Sequence, residues 1–328
     1  MDIKSLLITK DRFYASLRTF FKEQGFTEVE TPVLCSSPGA EAHIEAFSTI
    51  LEFNDKKRDI RYLINSPEFQ MKSLLVYLDK IFQITKSFRN KEISRLHNPE
   101  FTILEWYRNH SIVQDLISDS KNLISFIFNE FHIPGPTLEI VSYDSLFEEY
   151  LNLTPSDFNS LDSLLGYLNG SGRILQSQHI LKNIKNSSTL DEAINILYVN
   201  YIETILQKQK WNGIIYPFPS LFTTLSKNFL QNPALAERME LYLNGIEISN
   251  GFLEIDNYED FINRLNVIYN YRQQNNLPIY PVDERYLELL KNNLLPPHSG
   301  IALGCDRLLM VLLGSHNIQD ILPFSIAG

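Results

Sequence analysis

The chain has 328 residues, 44% of them hydrophobic, and its 39 Asp and Glu residues against 29 Lys and Arg give a net charge of −10. This length suffices for one large core or two domains, and the 21 Phe and 16 Tyr residues exclude a disordered chain. The acidic balance does not suit a protein that coats nucleic acid, which needs many cationic contacts.

The sequence shows no pattern typical of export, metal binding or disulfide bonding. The two cysteines, Cys35 and Cys305, give neither a disulfide framework nor a metal-binding spacing. The N-terminal residues lack the charged and then apolar pattern of a signal segment. No apolar run approaches membrane-spanning length, so we expect a cytoplasmic protein that does not contact the membrane.

The N-terminal residues predict a helix followed by an extended segment. Apolar residues at helical spacing place the helix over 9–24, with Thr9 as its N-cap. Gly25 ends it, and residues 26–32 then form an extended segment that stops at a proline.

A strand pair and a second helix follow. Residues 47–53 and 60–64 read as strands on either side of a polar turn. Ser66 is suited to cap the next helix, and Pro67 is suited to its first position. The apolar face of this helix comprises Met71, Leu74, Leu75 and Leu78.

The segment from Phe88 to Tyr107 is the most informative part of the chain. Arg89 ends an apolar strand, a polar loop follows, and a second strand alternates aromatic and acidic residues. Side chains two apart share a face of a strand, so Phe101, Glu105 and Tyr107 point the same way. A ring, a carboxylate and a phenol there suit a nucleotide beside a small cationic substrate. The alternative is an ordinary half-buried strand with one acidic residue, and Arg89 and the loop histidine argue against it.

The middle third, residues 111–210, is predicted to be mostly helical and contains no pattern that indicates a catalytic or binding site. Thr189 and Glu192 form a capping box for one of its helices. We interpret this region as an insertion or a packing element. Since the chemical motifs lie on both sides of it, one catalytic domain with a helical insertion fits better than two independent domains.

Two acidic residues are predicted to meet on a hairpin. Asn244 and Gly245 are typical of a type I′ turn, which places Glu240 diagonally across from Glu247 on one face of the sheet. Two neighbouring carboxylates repel each other. They either lie in water at the surface or hold a divalent cation together with substrate phosphates.

The strand after the hairpin carries further candidates. Asn250 and Gly251 predict a bulge or turn that lets the backbone approach a ligand. Glu254 offers another carboxylate, although any one of these acids alone would be taken for a solvated surface charge.

A glycine-flanked apolar strand over 300–304 leads into an apolar helix. Gly304 allows a ligand to approach the backbone, and Arg307 lies at the helix start, where its charge opposes the helix dipole. A bound anion explains such an arginine better than helix stability does. The alternative is a buried ion pair with Asp306 or another acid.

In this order, these constellations resemble the class II aminoacyl-tRNA synthetase catalytic core. Residues 29–32 resemble its first motif, 88–101 its second, and 304–307 its third, while 97–102 and 247–252 are similar to the lysine-specific branch. The resemblance implies an α+β fold over 1–328, with an antiparallel β-sheet flanked by helices and a mostly helical insertion around 111–210.

Within that family the chain resembles the truncated lysyl-tRNA synthetase paralogues that attach lysine to elongation factor P. The first-motif proline, Pro32, leaves no room before it for an anticodon-binding domain, so the expected acceptor is a protein lysine and not tRNA. Residues 66–68 and 105–107 fit this group, and so does Ala302, where lysyl-tRNA synthetases usually have glycine. Its methyl group can change which lysine isomer fits, and the resemblance to this group implies (R)-β-lysine, although the residues themselves leave α-lysine open.

The resemblance assigns roles to individual residues and implies ATP, Mg²⁺ and a homodimer. The catalytic residues would be Arg89 and Arg307, and Phe101 would stack on adenine beneath Arg307. The remaining ATP contacts would be Asn90, Lys91, His97, Asn98, Glu247, Ile248 and Gly304. The lysine pocket would comprise Ser66, Pro67, Glu68, Glu105, Tyr107, Asn250, Glu254 and Ala302. Glu240 and Glu247 would hold magnesium.

One position departs from the family pattern. Where the family has a glutamate that contacts the adenine edge, this chain has Lys91, followed by Glu92. Either Glu92 replaces it through a shifted loop, or backbone contacts suffice. A ligase for a small amine and a regulatory ATP-binding paralogue are the competing interpretations.

Overall fold

The computed structural model describes residues 1–171, 178–187, 189–223 and 225–324. The chain forms two compact units, the first from Met1–Gly135 and Ile248–Gly328 and the second from Pro136–Glu247. Among the described residues, no helix is both long and apolar enough to cross a membrane.

The N-terminal part of the first unit alternates helices with short strands. In chain order these are α1 (Ile3–Glu23), β1 (Thr27–Glu28), β2 (Leu34–Cys35), β3 (Ser48–Glu52), β4 (Arg58–Leu63), α2 (Glu68–Lys72), β5 (Lys80–Phe88), β6 (Glu100–Asn109) and α3 (Val113–Glu130).

The second unit is rich in helices. Its elements are β7 (Glu139–Val141), α4 (Tyr143–Leu151), α5 (Leu161–Ser171), α6 (Gln178–Lys185), α7 (Leu190–Leu197), α8 (Glu203–Gln209), β8 (Gly213–Ile215), β9 (Phe218–Pro219), β10 (Leu235–Ala236) and β11 (Arg238–Leu243).

The chain returns to the first unit within one strand. The last elements are β12 (Ile246–Leu253), α9 (Tyr258–Gln274), α10 (Glu284–Lys291), β13 (His298–Gly304) and α11 (Cys305–Leu312).

The first unit is built on a mixed sheet with the strand order β1, β5, β6, β13, β12. β1 runs parallel to β5, and the other neighbours are antiparallel. A smaller antiparallel sheet has the order β2, β4, β3. These helix-flanked sheets confirm the predicted α+β class, and β1 adds one parallel edge to the expected antiparallel sheet.

One face of the large sheet packs on α1. The Phe21 ring stacks on Phe82 of β5 with their centroids 4.9 Å apart, and it lies 5.0 Å from Trp106 of β6. Trp106 is fully buried. Since neighbours on a strand face opposite ways, this packing directs Glu105 and Tyr107 to the other face of the sheet, as the alternation predicts.

The second unit has its own aromatic core. The Tyr143 ring stacks on Tyr198 at 4.9 Å and lies 5.0 Å from Phe218. β8 pairs with β11 antiparallel and with β7 parallel. Helices occupy most of the region expected to be helical, with β7 as an exception, while the interpretation as one catalytic domain with an insertion stays a prediction.

The predicted starts of the first two helices are wrong. The first begins at Ile3, because the Asp2 carboxylate accepts from the Ser5 backbone N–H at 2.9 Å, and Thr9 lies inside it. In the second, Pro67 occupies the cap position and the helix ends at Lys72, so that Leu74, Leu75 and Leu78 follow it. The Ser66 hydroxyl nevertheless accepts from the Glu68 N–H at 3.0 Å.

The two Asn-Gly pairs behave differently. Asn244 and Gly245 both have positive φ, 51° and 70°, which confirms the predicted type I′ turn. Asn250 and Gly251 continue β12 in regular register with β13, so the expected bulge is wrong. A Cβ on Gly251 would lie 2.7 Å from the Ile301 Cβ, and the close approach is therefore to a neighbouring strand.

Candidate active site

Glu105 is the buried acid at the centre of the first unit's sheet. Its side chain is fully shielded, and its two oxygens accept from the Ser66 hydroxyl at 2.6 Å and the Tyr107 hydroxyl at 2.9 Å. Burial raises the pKa of Glu105 to about 7, which the hydrogen bond from Ser66 opposes and the charge of Glu68 reinforces. The carboxyl group therefore titrates near neutral pH.

A second cluster joins α2 to the end of β12. The ammonium group of Lys72, which is 2% exposed, donates a very short hydrogen bond to Glu68 and another of 2.5 Å to Glu254. Burial raises the pKa of Glu254 to about 8, and Lys72 opposes the shift. Glu68 and Glu254 thus share one internal cation, and Glu105 is a third acid whose pKa responds to Glu68 and Lys72. When all three acids are ionised, their charge exceeds that of Lys72 and can attract a cationic ligand.

Sequence reasoning missed Lys72. Its spacing of four residues from Glu68 on a helix was a usable signal for an ion pair. The rings of Tyr107, Phe252 and Tyr286 each have their centroid 5.9 Å from the Lys72 ammonium group, which gives that cation an aromatic surround.

β13 lines the same pocket with small residues. Ala302 pairs with Glu105 on β6 and with Asn250 on β12, which places all three in one row across the sheet. Gly300 pairs with Tyr107, and a Cβ on Gly300 would lie 2.1 Å from that ring. The predicted lysine-pocket residues thus lie along β6, β13 and β12, directly after β12, and at the start of α2. That set is Ser66, Pro67, Glu68, Glu105, Tyr107, Asn250, Glu254 and Ala302.

Arg89 lies over the Phe101 ring, with its guanidinium carbon 5.1 Å from the ring centroid. Its Nε is buried and makes no hydrogen bond to a described residue, and one Nη lies 3.8 Å from the Glu92 carboxylate. A buried cationic donor beside an aromatic face is an arrangement that can bind a phosphate next to a stacked base.

Arg307 contacts the loop between β5 and β6, where its Nη2 lies 2.6 Å from the His97 Nε2. The guanidinium over the Phe101 ring is that of Arg89, and the stacking of adenine between Phe101 and Arg307 stays a prediction. The neighbouring Asp306 accepts from the Thr102 backbone N–H at 2.7 Å and pairs with Lys10 at 3.3 Å. Gly304 is the cap residue of the helix that carries Arg307.

Lys91 and Glu92 have different partners in the loop between β5 and β6. The Lys91 side chain is 70% exposed and pairs with Glu45 at 2.5 Å, whereas the Glu92 carboxylate lies 3.8 Å from an Arg89 nitrogen. The two alternatives for the adenine contact, Glu92 or the loop backbone, stay predictions. Asn98 in the same loop is buried and donates to the Glu100 carbonyl at 2.6 Å, and its Oδ1 has no partner among the described residues.

The second unit contains the two acids of the hairpin. Glu240 is buried, and its carboxylate accepts from Arg238 at 2.5 Å and from the Tyr242 hydroxyl at 3.0 Å. Burial raises the pKa of Glu240 to about 7, Arg238 opposes the shift, and the charge of Glu247 adds to it. The two carboxylates therefore repel each other, as predicted. Within the described ranges, no group of three or more His, Cys, Asp and Glu side chains is arranged for metal binding.

Comparison with known proteins identifies the family of the chain. A model of the tRNA synthetases of class II (D, K and N) matches residues 1–327. A protein of Avibacterium paragallinarum named elongation factor P–(R)-β-lysine ligase is 34% identical over 98% of this chain and 95% of its own length. Proteins with that name from Haemophilus influenzae (strain PittGG) and Buchnera aphidicola (strain Tuc7) are 34% and 33% identical and cover 99% and 98% of this chain, with 96% and 95% of their own lengths matched.

The chain belongs to the elongation factor P–(R)-β-lysine ligase group of the class II aminoacyl-tRNA synthetases. This membership confirms the resemblance drawn from the three motifs. The match also covers the middle third of the chain, which contains none of those motifs.

Proposed function

We propose that the chain activates a diamino acid with ATP and transfers it to a lysine side chain of elongation factor P. The buried cluster of Glu68, Glu105 and Glu254 carries this proposal, because three carboxylates against the single ammonium of Lys72 suit a ligand with two ammonium groups. The relatives named as ligases of elongation factor P and (R)-β-lysine support the same acceptor and substrate.

The first step would be attack by the substrate carboxylate on the α-phosphorus of ATP. A new oxygen–phosphorus bond forms, the bond from the α-phosphorus to the bridging oxygen breaks, and pyrophosphate leaves. The nucleophile is already anionic at neutral pH, so no general base is needed. Arg89 and Arg307 would hold the phosphates, and the carboxylates of the pocket would align the substrate.

The second step would transfer the acyl group. A neutral lysine ε-amine of elongation factor P attacks the carbonyl carbon of the adenylate, and a new amide bond forms. The bond between that carbon and the phosphate oxygen breaks, AMP leaves, and the proton of the amine passes to solvent. Phe101 would stack on the adenine. His97, Asn98, Asn90, Ile248 and Gly304 complete the proposed nucleotide contacts, and Lys91 contributes through the loop backbone.

Mg²⁺ would be held by Glu240 and Glu247. Their mutual repulsion is relieved by a cation, and carboxylate oxygens are the ligands that Mg²⁺ prefers. When bound, the ion would neutralise charge on the ATP phosphates. The homodimer implied by the first motif stays a prediction.

ATP–pyrophosphate exchange tests the proposal, with (R)-β-lysine, L-lysine and L-aspartate as substrates. We expect exchange with a lysine isomer and none with aspartate, and we expect label from the amino acid to reach elongation factor P. The names of the relatives favour (R)-β-lysine over L-lysine, and the methyl group of Ala302 is a difference that can change which isomer fits. Exchange with aspartate, or transfer only to a small amine, would instead support the competing ligase.

Arg89→Ala should lower exchange by at least about 100-fold, because it removes the guanidinium proposed to bind the phosphates. Circular dichroism should show that the variant remains folded. Arg58→Ala is the control, because Arg58 is 70% exposed and pairs with Glu52 on β3. Exchange by Arg89→Ala at the rate of the unchanged protein would contradict the assignment.

A further inference from the structure

An acid outside the predicted pocket also faces the first unit's site. Glu41 lies on the loop between β2 and β3, and its Oε2 is shielded from solvent without a hydrogen-bond partner among the described residues. Burial raises the pKa of this carboxyl group, the positive charge of Arg89 opposes the shift, and the charge of Glu68 adds to it. The charges of both Arg89, the proposed phosphate-binding residue, and Glu68 of the pocket therefore act on this carboxyl group.

A second unsatisfied acceptor lies beside it. Asn65 is 1% exposed, and its Oδ1 has no partner among the described residues. A Cβ placed on Gly39 would lie 2.9 Å from the Glu41 Oε2 and 3.7 Å from the Asn65 Cβ, so the two side chains flank the same bare backbone. A buried acceptor without a donor destabilises the folded protein. The Asn65 Nδ2 lies 3.8 Å from the same Cβ position, so the Asn65 amide and the Glu41 carboxylate lie close together, and a bound donor group would satisfy both.

The loop that carries Glu41 is held in place from several directions. The Arg272 guanidinium is 1% exposed and donates to the carbonyls of Glu41, Ala42 and Ile44 at 2.9, 3.0 and 2.9 Å. The Tyr280 hydroxyl accepts from the backbone N–H of Ala46 at 2.9 Å. The unsatisfied carboxylate is therefore positioned before any ligand arrives, which lowers the cost of binding.

Backbone contacts place the loop of Glu41 between the pocket and Arg89. The Asn65 N–H donates to the Pro38 carbonyl at 2.9 Å, and the next residue, Ser66, donates its hydroxyl to Glu105 at 2.6 Å. Further along the same loop, the Glu45 carbonyl accepts from the N–H of Asn90, the residue after Arg89, at 2.8 Å. Because the reacting carboxylate must meet the phosphates, the ammonium group nearest that carboxylate belongs on the side of Arg89, and the distant one beside Glu254.

We infer that Glu41, together with Asn65, is a substrate-binding element that receives the ammonium group nearest the carboxyl carbon, while Glu254 serves the distant ammonium group. An ammonium group has three N–H donors, enough to satisfy both orphan acceptors and one further acid such as Glu68. The inference rests on the proposed function. It adds residues that would select substrates by the position of the nearer amine on the carbon chain.

The test pairs Glu41→Gln with substrates that lack one amine. (R)-β-lysine has both amines, 6-aminohexanoate lacks the near one, and (R)-3-aminohexanoate lacks the distant one. Each is measured as a substrate of pyrophosphate exchange, or as an inhibitor of β-lysine exchange where it is not activated. If L-lysine is the isomer activated, L-norleucine replaces 3-aminohexanoate.

Glu41→Gln should lower kcat/KM for β-lysine, and the affinity for 3-aminohexanoate, by about 10- to 100-fold, the effect of losing one hydrogen bond to a charged group. Its effect on 6-aminohexanoate should stay within about twofold. Glu254→Gln should give the opposite pattern. Glu52→Gln, 61% exposed on β3, is the matched control and should change none of them.

Two results would overturn the inference: an unchanged response to β-lysine, or an equal loss with 6-aminohexanoate. Glu41→Asp keeps the charge and should lose less than Glu41→Gln, with the same substrate pattern, which keeps the test available if the glutamine variant is unstable. If the unchanged protein activates and binds none of these amines, the proposed function itself fails, and the two failures are thereby distinguished.

Discussion

Replacing Lys72 should have a large effect on the stability of the folded chain. It is the one cation that the described contacts place between Glu68 and Glu254, and it is almost completely buried. Removing one partner of a buried ion pair leaves uncompensated charge, which costs about 3–5 kcal/mol.

Lys72→Met should therefore lower the free energy of unfolding by about 3 kcal/mol or more at pH 8, and by less at pH 6, where the freed carboxylates can take up protons. Urea denaturation at the two pH values measures this difference. The exposed Lys4→Met on α1 serves as the control. An equal loss at both pH values would show that Lys72 acts through packing and not through charge.

The pocket acids should also set the pH dependence of activity. Burial raises the pKa of Glu105 to about 7 and of Glu254 to about 8 from an ordinary value of 4.5. Both must be ionised to bind ammonium groups, so kcat/KM for the diamino acid should rise from pH 6 to about pH 8. A flat profile across this range would contradict the role of the two acids.

The same shifts have a consequence for stability. The folded chain binds more protons than the unfolded chain between about pH 4.5 and pH 7–8, so the contribution of these two groups to stability falls as pH rises through that window. Catalysis and stability should therefore respond to pH in opposite directions.

Among the strands, β13 shapes the pocket through the absence of a side chain at Gly300. Gly300→Ala would bring a Cβ to 2.1 Å from the Tyr107 ring and 2.9 Å from the Glu254 Oε1. We expect KM for the diamino acid to rise about tenfold or more, with a smaller effect on KM for ATP, because both displaced groups belong to the amine pocket. Steady-state exchange kinetics separate the two.

Gly166→Ala on α5 is the matched control, since a Cβ there meets no atom within 4 Å. It should leave both KM values unchanged and stabilise the helix by about 0.5–1 kcal/mol. A KM change of the same size in both variants would indicate a general effect of the added methyl groups.

Patterns of short range were readable from the sequence. The alternation along β6, the turn at Asn244 and the passage from β13 into α11 all follow from periods of two or 3.6 residues or from one backbone conformation. The pairing of Lys72 with Glu254, and of Arg272 with the loop at Glu41, joins residues about two hundred positions apart. No local period encodes such contacts, so the site's acids were predictable by type and their partners were not.

For the whole molecule, net charge bears on the choice of acceptor. With a net charge of −10, the chain offers little general attraction to the phosphates of tRNA. We expect label from β-lysine to reach elongation factor P and not lysine tRNA, even at about 50 mM salt, where phosphate contacts are strongest. Acid precipitation before and after ribonuclease treatment distinguishes the two products, and ribonuclease-sensitive label would contradict this expectation.

The packing of Trp106 against Phe21 has a practical consequence. The chain has two tryptophans, and each unit holds one: Trp106 in the first and Trp211 in the second. Trp106 is fully buried against α1, so its indole emission should be blue-shifted and should shift to the red when that packing is lost. In a Trp211→Phe protein the remaining fluorescence would be an intrinsic optical reporter of the unfolding of the first unit.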